Sequence, residues 1–286
     1  DMVLAGVMES IIKESPVLDM LPFIDVVGNA FVYNRLAAEP SIGFQAVGAT
    51  WTESTPTYTK VTQGLTILGG DADVDNYIQL TRSDVQDQEA VVIQQKAKAL
   101  ARAWENTFVN GDTGTDANAF NGLDKLVASG PAGQNVSMGT NGATLTLAKL
   151  DELIDSVKTK NIVLLMSRRT RRTLQNLVRT SGALLESRPG NFLEWVQMYN
   201  GLPLFINDHI SDAKTVGTSS DCSTIYCLSV GETDQGVVGL TAPGGPVVEK
   251  VGELETKDAT RWRVKWYSAI AWLSELSAAR LIGVRP

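Results

Sequence analysis

SDVQDQEAVVIQQKAKALARAWENTFVNGD, residues 83–112, is the stretch that decides the fold. Ser83 and Gln86 form a capping-box pattern at its start, and Asn110-Gly111 is a stop signal. These limits predict a helix of about 26 residues, roughly 39 Å long, which indicates a strut rather than a packing unit of a compact ball. Its apolar stripe recurs every three or four residues and consists of Ile93, Ala97, Leu100, Trp104 and Phe108.

Upstream of this helix, IGFQAVGATWTESTPTYTKVTQGLTIL (42–68) is rich in Thr, β-branched and aromatic residues around a turn signal at 54–56. The pattern predicts a long β-hairpin. A two-stranded hairpin is marginal alone in water, and this one is too polar to provide its own apolar face. We therefore expect it to lie on a neighbour. Its candidate contact residues are Trp51, Pro56, Tyr58 and Lys60.

The first 25 residues predict a short amphipathic arm that breaks at Pro16 and Pro22. Because the arm has little core of its own, its stripe should be buried against the rest of the fold or a neighbouring subunit. The chain begins at Asp1 without an initiator Met, so we expect that some N-terminal sequence has been removed or is not represented.

GGDADVDNYIQL (69–80) alternates, which predicts one strand with Asp71, Asp73 and Asp75 on one face. The opposite face is expected to carry Ala72, Val74, Asn76, Ile78 and Leu80. The D-x-D-x-D spacing resembles a calcium loop, but the sixth position is Asn rather than Gly and the twelfth is Arg rather than Glu. We therefore expect no metal here, and no cofactor elsewhere.

The last long element, RWRVKWYSAIAWLSEL (261–276), also alternates and predicts an unusually long strand. Its apolar side is more typical of core packing than of a ligand platform, and consists of Trp262, Val264, Trp266, Ile270, Trp272 and Leu276. Its other side begins with Arg261, Arg263 and Lys265. These share the period of the three aspartates, so pairing the two strands would set opposite charges across a ladder.

Between these elements the sequence predicts a mixed α/β region. Thr146 and Ser167 are candidate helix caps on either side of the buried strand NIVLLM. The second of these helices opens with Arg168, Arg169, Arg171 and Arg172, where cations oppose the helix dipole. A solvated face, acidic partners in the same subunit, ion pairs across a subunit interface and contact with nucleic acid all remain open, and we rank the interface above nucleic acid.

Composition excludes several classes of protein. With 43% hydrophobic and 20% charged residues the chain is neither collagenous nor wholly disordered, and no segment is apolar enough to span a membrane. A net charge of -7 argues against dedicated nucleic-acid binding. Cys222 and Cys227 lie five residues apart, and we expect reduced thiols in an intracellular product.

Catalytic signatures are missing from the sequence: it has no Walker loop, nucleophile elbow or metal-binding HExxH. The sole histidine, His209, lies close in sequence to Asp208 and Ser211, but adjacency alone does not build a triad. We expect an ordinary surface or packed histidine, no catalytic residues and no enzyme activity; a hydrolase-like enzyme on the α/β region is the least favoured alternative.

The order of these elements resembles the major capsid protein of tailed bacteriophages, with an α+β fold of the Hong Kong 97 type. The arm is similar to the family's N-terminal arm, residues 42–68 to its extended loop and residues 83–112 to its spine helix. LAKLDELIDSV, NIVLLMSRRTRRTL and MYNGLPLFIND resemble the axial domain, and KDATRWRVKWYSAIAWLSELSAARLIGV the closing strands of the peripheral domain. The expected segments are 1–40 (arm), 41–69 (extended loop), 70–129 (peripheral strand and spine helix), 130–245 (axial domain) and 246–286 (closing strands).

The resemblance implies a shell protein of the virion, assembled in the host cytoplasm from hexamers and pentamers into an icosahedral head around double-stranded DNA. It implies contacts with other copies of the chain, and with portal, scaffold and cementing proteins where these exist, but none with a membrane. Some relatives link subunits covalently between a Lys in the extended loop and an Asn in the peripheral domain. Lys60 is present here but LETKDATRWRV (254–264) has no Asn, so we expect no crosslinks. An encapsulin, a cellular compartment of the same fold, remains the alternative.

Overall fold

The computed structural model describes residues 16–82, 88–182, 186–189 and 195–285. Residues 1–15 of the predicted arm, and the predicted cap at Ser83 and Gln86, lie outside this part of the chain. The predicted long helix is confirmed, with 23 described residues and every member of its predicted stripe buried. The helices are α1 (Pro16–Met20), α2 (Asn76–Arg82), α3 (Gln88–Asn110), α4 (Leu123–Ala128), α5 (Leu147–Ser156) and α6 (Arg168–Thr180).

The strands form two sheets and a separate two-stranded ribbon in the described residues. Together with the helices they confirm the predicted α+β class. The strands are β1 (Phe23–Asp25), β2 (Ala30–Ala38), β3 (Thr57–Gly64), β4 (Thr66–Asp75), β5 (Asn135–Ser137), β6 (Ala143–Thr144), β7 (Ile162–Met166), β8 (Glu186–Pro189), β9 (Trp195–Tyr199), β10 (Leu202–Ile206), β11 (Lys214–Val216), β12 (Ser219–Ser229), β13 (Val237–Thr241), β14 (Val247–Glu253), β15 (Ala259–Trp272) and β16 (Ala278–Arg285).

The first sheet is organised around β15, the predicted long strand. Its 14 residues pair with β4 along one edge and with β14 and then β13 along the other. β1 completes the sheet by pairing in parallel with β13. The strand β13 therefore joins the first sheet, although the expected boundary at residue 245 groups it with the axial region. Leu276, expected on the apolar side of the strand, lies beyond its end and is exposed.

Helix α3 packs against the first sheet through an aromatic core. Trp104 has no exposed surface and stacks on Trp266 of β15, with ring centroids 5.5 Å apart. Phe23, Phe108 and Phe120 surround it with centroid distances between 5.4 and 6.1 Å. Its indole N–H donates to Ser268 Oγ at 2.8 Å, which satisfies the one polar atom of the ring. This core fixes the long helix to the long strand.

The second sheet has the order β5-β16-β12-β7-β10-β9-β8, with β6 beside β16 and β11 beside β12. Strand β7 buries both of its faces: Val163 and Leu165 join the core shared with α3, while Leu164 and Met166 join a second core under α5 and α6. The predicted caps of these two helices are confirmed, since the side chains of Thr146 and Ser167 accept backbone N–H groups of the first turns.

The ribbon, residues 30–64, differs from the predicted hairpin. Its strands are β2 and β3, and residues 39–56 between them contain no strand. We expected the first strand to begin at Ile42 and assigned residues up to 40 to the arm. Pro40 and Pro56 cannot donate to a ladder, and Gly43 and Gly48 add backbone freedom, so this stretch forms a long loop instead.

The predicted strand 69–80 ends early. β4 stops at Asp75, whose carboxylate accepts the backbone N–H groups of Tyr77 at 2.9 Å and Ile78 at 3.2 Å. This local capping starts α2 and removes Asn76, Ile78 and Leu80 from the expected strand face. The alternation of the sequence continues past residue 75, but the short-range hydrogen bonds of Asp75 override it.

Candidate assembly surfaces

The ribbon loop, residues 39–56, holds its large apolar side chains in solvent. The exposed fraction is 93% for Ile42, 78% for Trp51 and complete for Phe44 and Val47. A hydrogen bond of 2.9 Å from the Ser41 N–H to Ser54 Oγ joins the two ends of the loop. Contiguous exposed apolar groups of this kind mark a surface that another molecule covers.

The predicted contact residues of the hairpin all lie at the surface of the ribbon. Tyr58 is 64% exposed, and Pro56 and Lys60 are exposed beside it. The loop carries Glu39 and Glu53 and no cation. The ribbon loop is therefore apolar and weakly acidic, with its side chains free to meet a partner.

Two arginines of β15 bond two aspartates of β4 across the sheet. Arg261 stands opposite Asp73 and Arg263 opposite Asp71 in the strand register. Each guanidinium donates two hydrogen bonds of 2.7 to 3.0 Å to its carboxylate. These bonds lower the pKa of Asp71 and that of Asp73, which Lys257 also contacts at 2.6 Å. Both aspartates therefore stay ionised well into acid.

The other two members of the expected ladder bond elsewhere. Lys265 faces Gly69 in the register and reaches Glu249 of β14, with Nζ 2.5 Å from Oε2. This hydrogen bond lowers the pKa of Glu249. Asp75 is occupied at the start of α2. The ion pairs of this surface thus form within one chain, and a contact between copies through them stays a prediction.

The arginines of α6 have different surroundings. Arg168 donates to both carboxylate oxygens of Asp208 at 2.7 Å, and this pair is exposed. Arg169 is close enough to Asp221 to help lower its pKa, although the hydrogen bond from Arg285 has the larger effect. Arg171 has a buried Nε without a hydrogen-bond acceptor among the described residues, and Arg172 is exposed. A role of this helix at a subunit interface stays a prediction.

A charged cluster joins α4 to the second sheet. Asp124 accepts hydrogen bonds from Arg280 at 2.7 Å and from the Tyr226 hydroxyl at 2.9 Å, and lies 3.1 Å from Lys214 Nζ. Burial alone raises the pKa of Asp124. The charge of Lys214, the hydrogen bond from Tyr226 and the charge of Arg280 together lower it by more, so the net shift is downward. The carboxylate is therefore an ionised link between the two regions of the chain.

His209 packs against the long helix instead of forming a triad. Its Nε2 lies 3.8 Å from the buried Glu105 Oε2, and burial lowers the pKa of the imidazole. Asp208 is bonded to Arg168, and Ser211 Oγ accepts the backbone N–H of Ala213. Neither neighbour in sequence is aligned to activate the histidine.

Both cysteines are buried in β12 and carry free thiols, and burial raises the pKa of Cys227 to about 12. Among the described residues, His, Cys, Asp and Glu side chains form no group of three or more that could hold a metal ion. None of the helices in the described ranges has the length and apolar character needed to cross a bilayer.

The comparisons with known proteins agree with this geometry. The sequence profile of the phage capsid family matches residues 2–229. The chain belongs to the phage capsid family. Family membership indicates a structural component of a capsid, and a non-enzymatic role. No match was found among curated protein sequences.

Solved structures of shell proteins share the fold of this phage capsid family member. The SrpI encapsulin of Synechococcus elongatus PCC 7942 matches with a TM-score of 0.73 at 20% identity, covering 95% of this chain and 88% of that one. The capsid of cyanophage A-1(L) matches with a TM-score of 0.70 at 12% identity, covering 96% and 93%. The capsid of a native GTA particle gives 0.69 at 14% identity, covering 94% and 89%. The Hong Kong 97-type fold predicted from the sequence is confirmed.

Sequence reasoning missed two functional candidates in this capsid family chain, Tyr33 and Arg35 on the first strand of the ribbon. Tyr33 bonds the carbonyl of Trp272, the last residue of β15, and Arg35 also bonds Glu275 just beyond that strand, about 240 residues away in sequence. The available signal was the alternation of Phe31, Tyr33 and Arg35, which predicts a strand with one buried face. All three residues fall within the expected arm, residues 1–40.

Proposed function

We propose that this chain is the major capsid protein of a tailed phage, whose copies assemble into the hexamers and pentamers of an icosahedral head around double-stranded DNA. The finished protein is then a component of the virion, assembled in the host cytoplasm. It acts by burial and shape complementarity rather than by catalysis.

The ribbon loop is the observation that carries this proposal. Phe44 and Val47 are fully exposed, and Ile42 and Trp51 largely so, in the loop between β2 and β3. Burying one such side chain stabilises a contact by about 1.5 to 3 kcal/mol. A second copy of the chain supplies the covering surface in a shell, because every copy then presents both the loop and the surface that receives it.

The charge of the chain supports a container for DNA. Its net charge of -7 keeps most of the surface from adhering to phosphate, so packaged DNA is confined without being bound tightly or by sequence. A strongly positive lumenal surface in the assembled shell would contradict this part of the proposal.

We assign roles to the segments by their resemblance to the family. Residues 1–40 act as the arm, 41–69 as the extended loop, 70–129 as the peripheral strand and spine helix, 130–245 as the axial domain and 246–286 as the closing strands. The ribbon begins at Ala30, β13 pairs with β15, and β16 (Ala278–Arg285) belongs to the second sheet, so the working limits of the loop and the closing strands are 30–64 and 237–272.

Expression of the full chain followed by electron microscopy and analytical ultracentrifugation tests the proposal. We expect discrete hollow particles. As a matched pair, Phe44→Ser should abolish or strongly reduce particle yield, whereas Thr59→Ser, a conservative change in the exposed part of β3, should leave it unchanged. A monodisperse monomer from the unaltered chain at assembly concentrations would refute the proposal.

Covalent crosslinks are not expected in these particles. Lys60 is available on the ribbon, but residues 254–264 provide no asparagine for it. Denaturing gel electrophoresis of purified particles should give a single band at the monomer mass of 30.8 kDa. A ladder of covalent oligomers would contradict this expectation.

An encapsulin-type shell is the second candidate, favoured by the fold match to the SrpI encapsulin. Both candidates predict hollow particles, so they differ in content and attachments. Particles from the native source that contain DNA and carry tails, with portal, scaffold or cementing proteins, support the phage head. Particles that enclose a protein cargo support the encapsulin.

A further inference from the structure

We propose a latch on the first strand of the ribbon: Arg35 fixes the angle at which the ribbon leaves the body by binding the chain where β15 ends and the segment that joins the two sheets begins. This proposal rests on the proposed shell function, because it names the residue that positions the contact between copies. The first test of the latch measures the unassembled chain, so its result does not depend on whether the chain forms shells.

Arg35 uses its whole guanidinium on one target. Its Nη1 lies 2.7 Å from Glu275 Oε1, its Nε donates to the Leu273 carbonyl at 3.2 Å, and its Nη2 donates to the Trp272 carbonyl at 2.5 Å. The guanidinium also lies over the ring of Trp272, 5.6 Å from its centroid. The side chain is only 19% exposed, so these bonds are shielded from water.

Tyr33 completes the contact from the same face of β2. Its hydroxyl donates to the Trp272 carbonyl at 2.7 Å and accepts a hydrogen bond from Arg35 Nη2 at 3.2 Å. Burial raises the pKa of Tyr33, so the hydroxyl keeps its proton for this bond. Two side chains of one strand thus bond the same distant stretch of chain at Trp272, Leu273 and Glu275.

The ribbon needs such a contact because its covalent attachments are narrow. On one side β3 continues into β4 with Leu65 alone between them. On the other side residues 26–29 connect β1 to β2, and Gly28 there has a φ of 117°, which L side chains rarely adopt. Phe31 and Leu65 pack against the core beside these two short attachments, and Arg35 is bonded to the body farther along β2, so it provides an additional point that sets the angle of the ribbon.

Two of the residues that Arg35 bonds, Leu273 and Glu275, belong to the segment 273–277, which connects the two sheets. It links β15 of the first sheet to β16 of the second. Its Ser274 N–H donates to the Gln235 carbonyl at 3.0 Å, which belongs to the neighbouring crossing from β12 to β13. Two of the chain's crossings between the sheets are therefore hydrogen-bonded to each other beside the residues that Arg35 binds, so Arg35 joins the ribbon to the place where the two sheets connect.

A small change of the ribbon's angle at its attachments, residues 26–29 and 65, becomes a large displacement at the ribbon loop. The nine residues of β2 span about 30 Å, so a rotation of about 10° moves the loop by roughly 5 Å. A closed shell needs every copy to reach its neighbour in nearly the same geometry. A residue that narrows the range of ribbon angles should therefore narrow the range of shell diameters.

Spin labels on the unassembled chain measure the angle directly. One label is placed on the ribbon at Thr59→Cys and one on the body at Asn118→Cys, both exposed positions, while the native cysteines are buried. In the parent the distance distribution between labels should be narrow. Arg35→Ala should widen it at least twofold, and Arg35→Lys should lie between because it keeps the pair with Glu275.

Arg285→Ala is the matched control. Arg285 makes three hydrogen bonds to Asp221 at the far end of β16. The variant therefore loses an ion pair that does not involve the ribbon. It should leave the distance distribution unchanged. Should Arg35→Ala fail to fold by circular dichroism, Glu275→Gln removes the charge partner alone and should still broaden the distribution.

The second readout is the particle. Arg35→Ala should give shells with a wider spread of diameters, or incomplete shells, at an unfolding temperature close to that of the parent. An unchanged distance distribution in both Arg35→Ala and Glu275→Gln would overturn the latch. A widened distribution with an unchanged diameter spread would overturn its role in shell geometry. Absence of particles from the parent chain would remove the proposed function while leaving the latch itself intact.

Discussion

β12 and β3 are both rich in hydroxyl side chains, yet they differ completely in burial. From Cys222 to Ser229 every residue of β12 is buried, whereas no residue of β3 is. β12 lies between β16 and β7 and has apolar cores on both faces, while β3 pairs along its length with β2 alone. The second sheet is therefore buried within its own chain, whereas the ribbon reaches the same burial only if another molecule covers it, as the proposed shell requires.

The largest difference in unfolding free energy is expected between two tryptophan substitutions, one in the buried core and one in the ribbon loop. Trp104→Ala leaves a cavity in the aromatic core and should lower the free energy of unfolding by about 3 to 5 kcal/mol. Trp51→Ala in the ribbon loop should change it by less than about 0.5 kcal/mol, because the side chain is already exposed, but it should reduce assembly. Denaturant titration of unassembled chains and particle counting measure the two effects. Equal loss of stability in both variants would contradict the comparison.

Asp124 tests whether the body is held together by its own charges. Asp124→Ala leaves Arg280 and Lys214 without their carboxylate and should cost about 1 to 3 kcal/mol of unfolding free energy, measured by denaturant titration. Lys149→Ala is a suitable control, because its pair with Glu152 is exposed and should contribute less than about 1 kcal/mol. A loss no larger than that of the control would show that the cluster is not a structural link.

Ser167→Ala should give a smaller effect. Its hydroxyl caps α6 by accepting the Thr170 N–H at 3.1 Å, and caps of this kind are worth about 1 kcal/mol. Thermal unfolding should show the shift. The control is Thr180→Ala at the exposed end of the same helix, where the hydroxyl bonds only the preceding turn. If the two variants unfold alike, the cap contributes nothing.

The smallest expected effect belongs to the ion pairs between β4 and β15. The pKa values of Asp71 and Asp73 are lowered in the folded chain, so their contribution is present above the unfolded pKa, near 4, and is lost as pH falls through the folded values. Thermal unfolding from pH 5 to pH 3 should therefore show a gap between the parent and Asp73→Asn that shrinks in acid and at high salt. A gap independent of pH would indicate that packing rather than charge is responsible.

Local periodicity allowed the central elements to be predicted. The stripe from Ile93 to Phe108 and the alternation from Trp262 to Trp272 each persist over enough residues to exclude other interpretations, and the structure buries the helix stripe completely. The first strand of the ribbon was missed because a half-exposed strand has a weaker pattern. Short-range capping by Asp75 overrode an alternation that continued past it.

The latch lay beyond sequence reasoning for a different reason. Arg35 gains its role from carbonyl groups of Trp272 and Leu273, and a backbone acceptor has no residue type that a pattern could reveal. The pairing of Arg261 with Asp73 was accessible because both partners are side chains with the same period. The shared period did not indicate that Lys265 would instead pair with Glu249 of β14, on the other edge of β15.

The half-buried imidazole of His209 also affects how the net charge of the chain changes with pH near neutrality. It is the chain's single histidine, and its desolvation keeps it neutral to a lower pH than usual. Ordinary carboxylates titrate below about pH 5 and lysines above about pH 9, so the interval between has almost no other side-chain buffer. A lattice of many copies would therefore gain little more than one side-chain proton per copy across that interval, while ionic strength would remain an effective control over its cohesion.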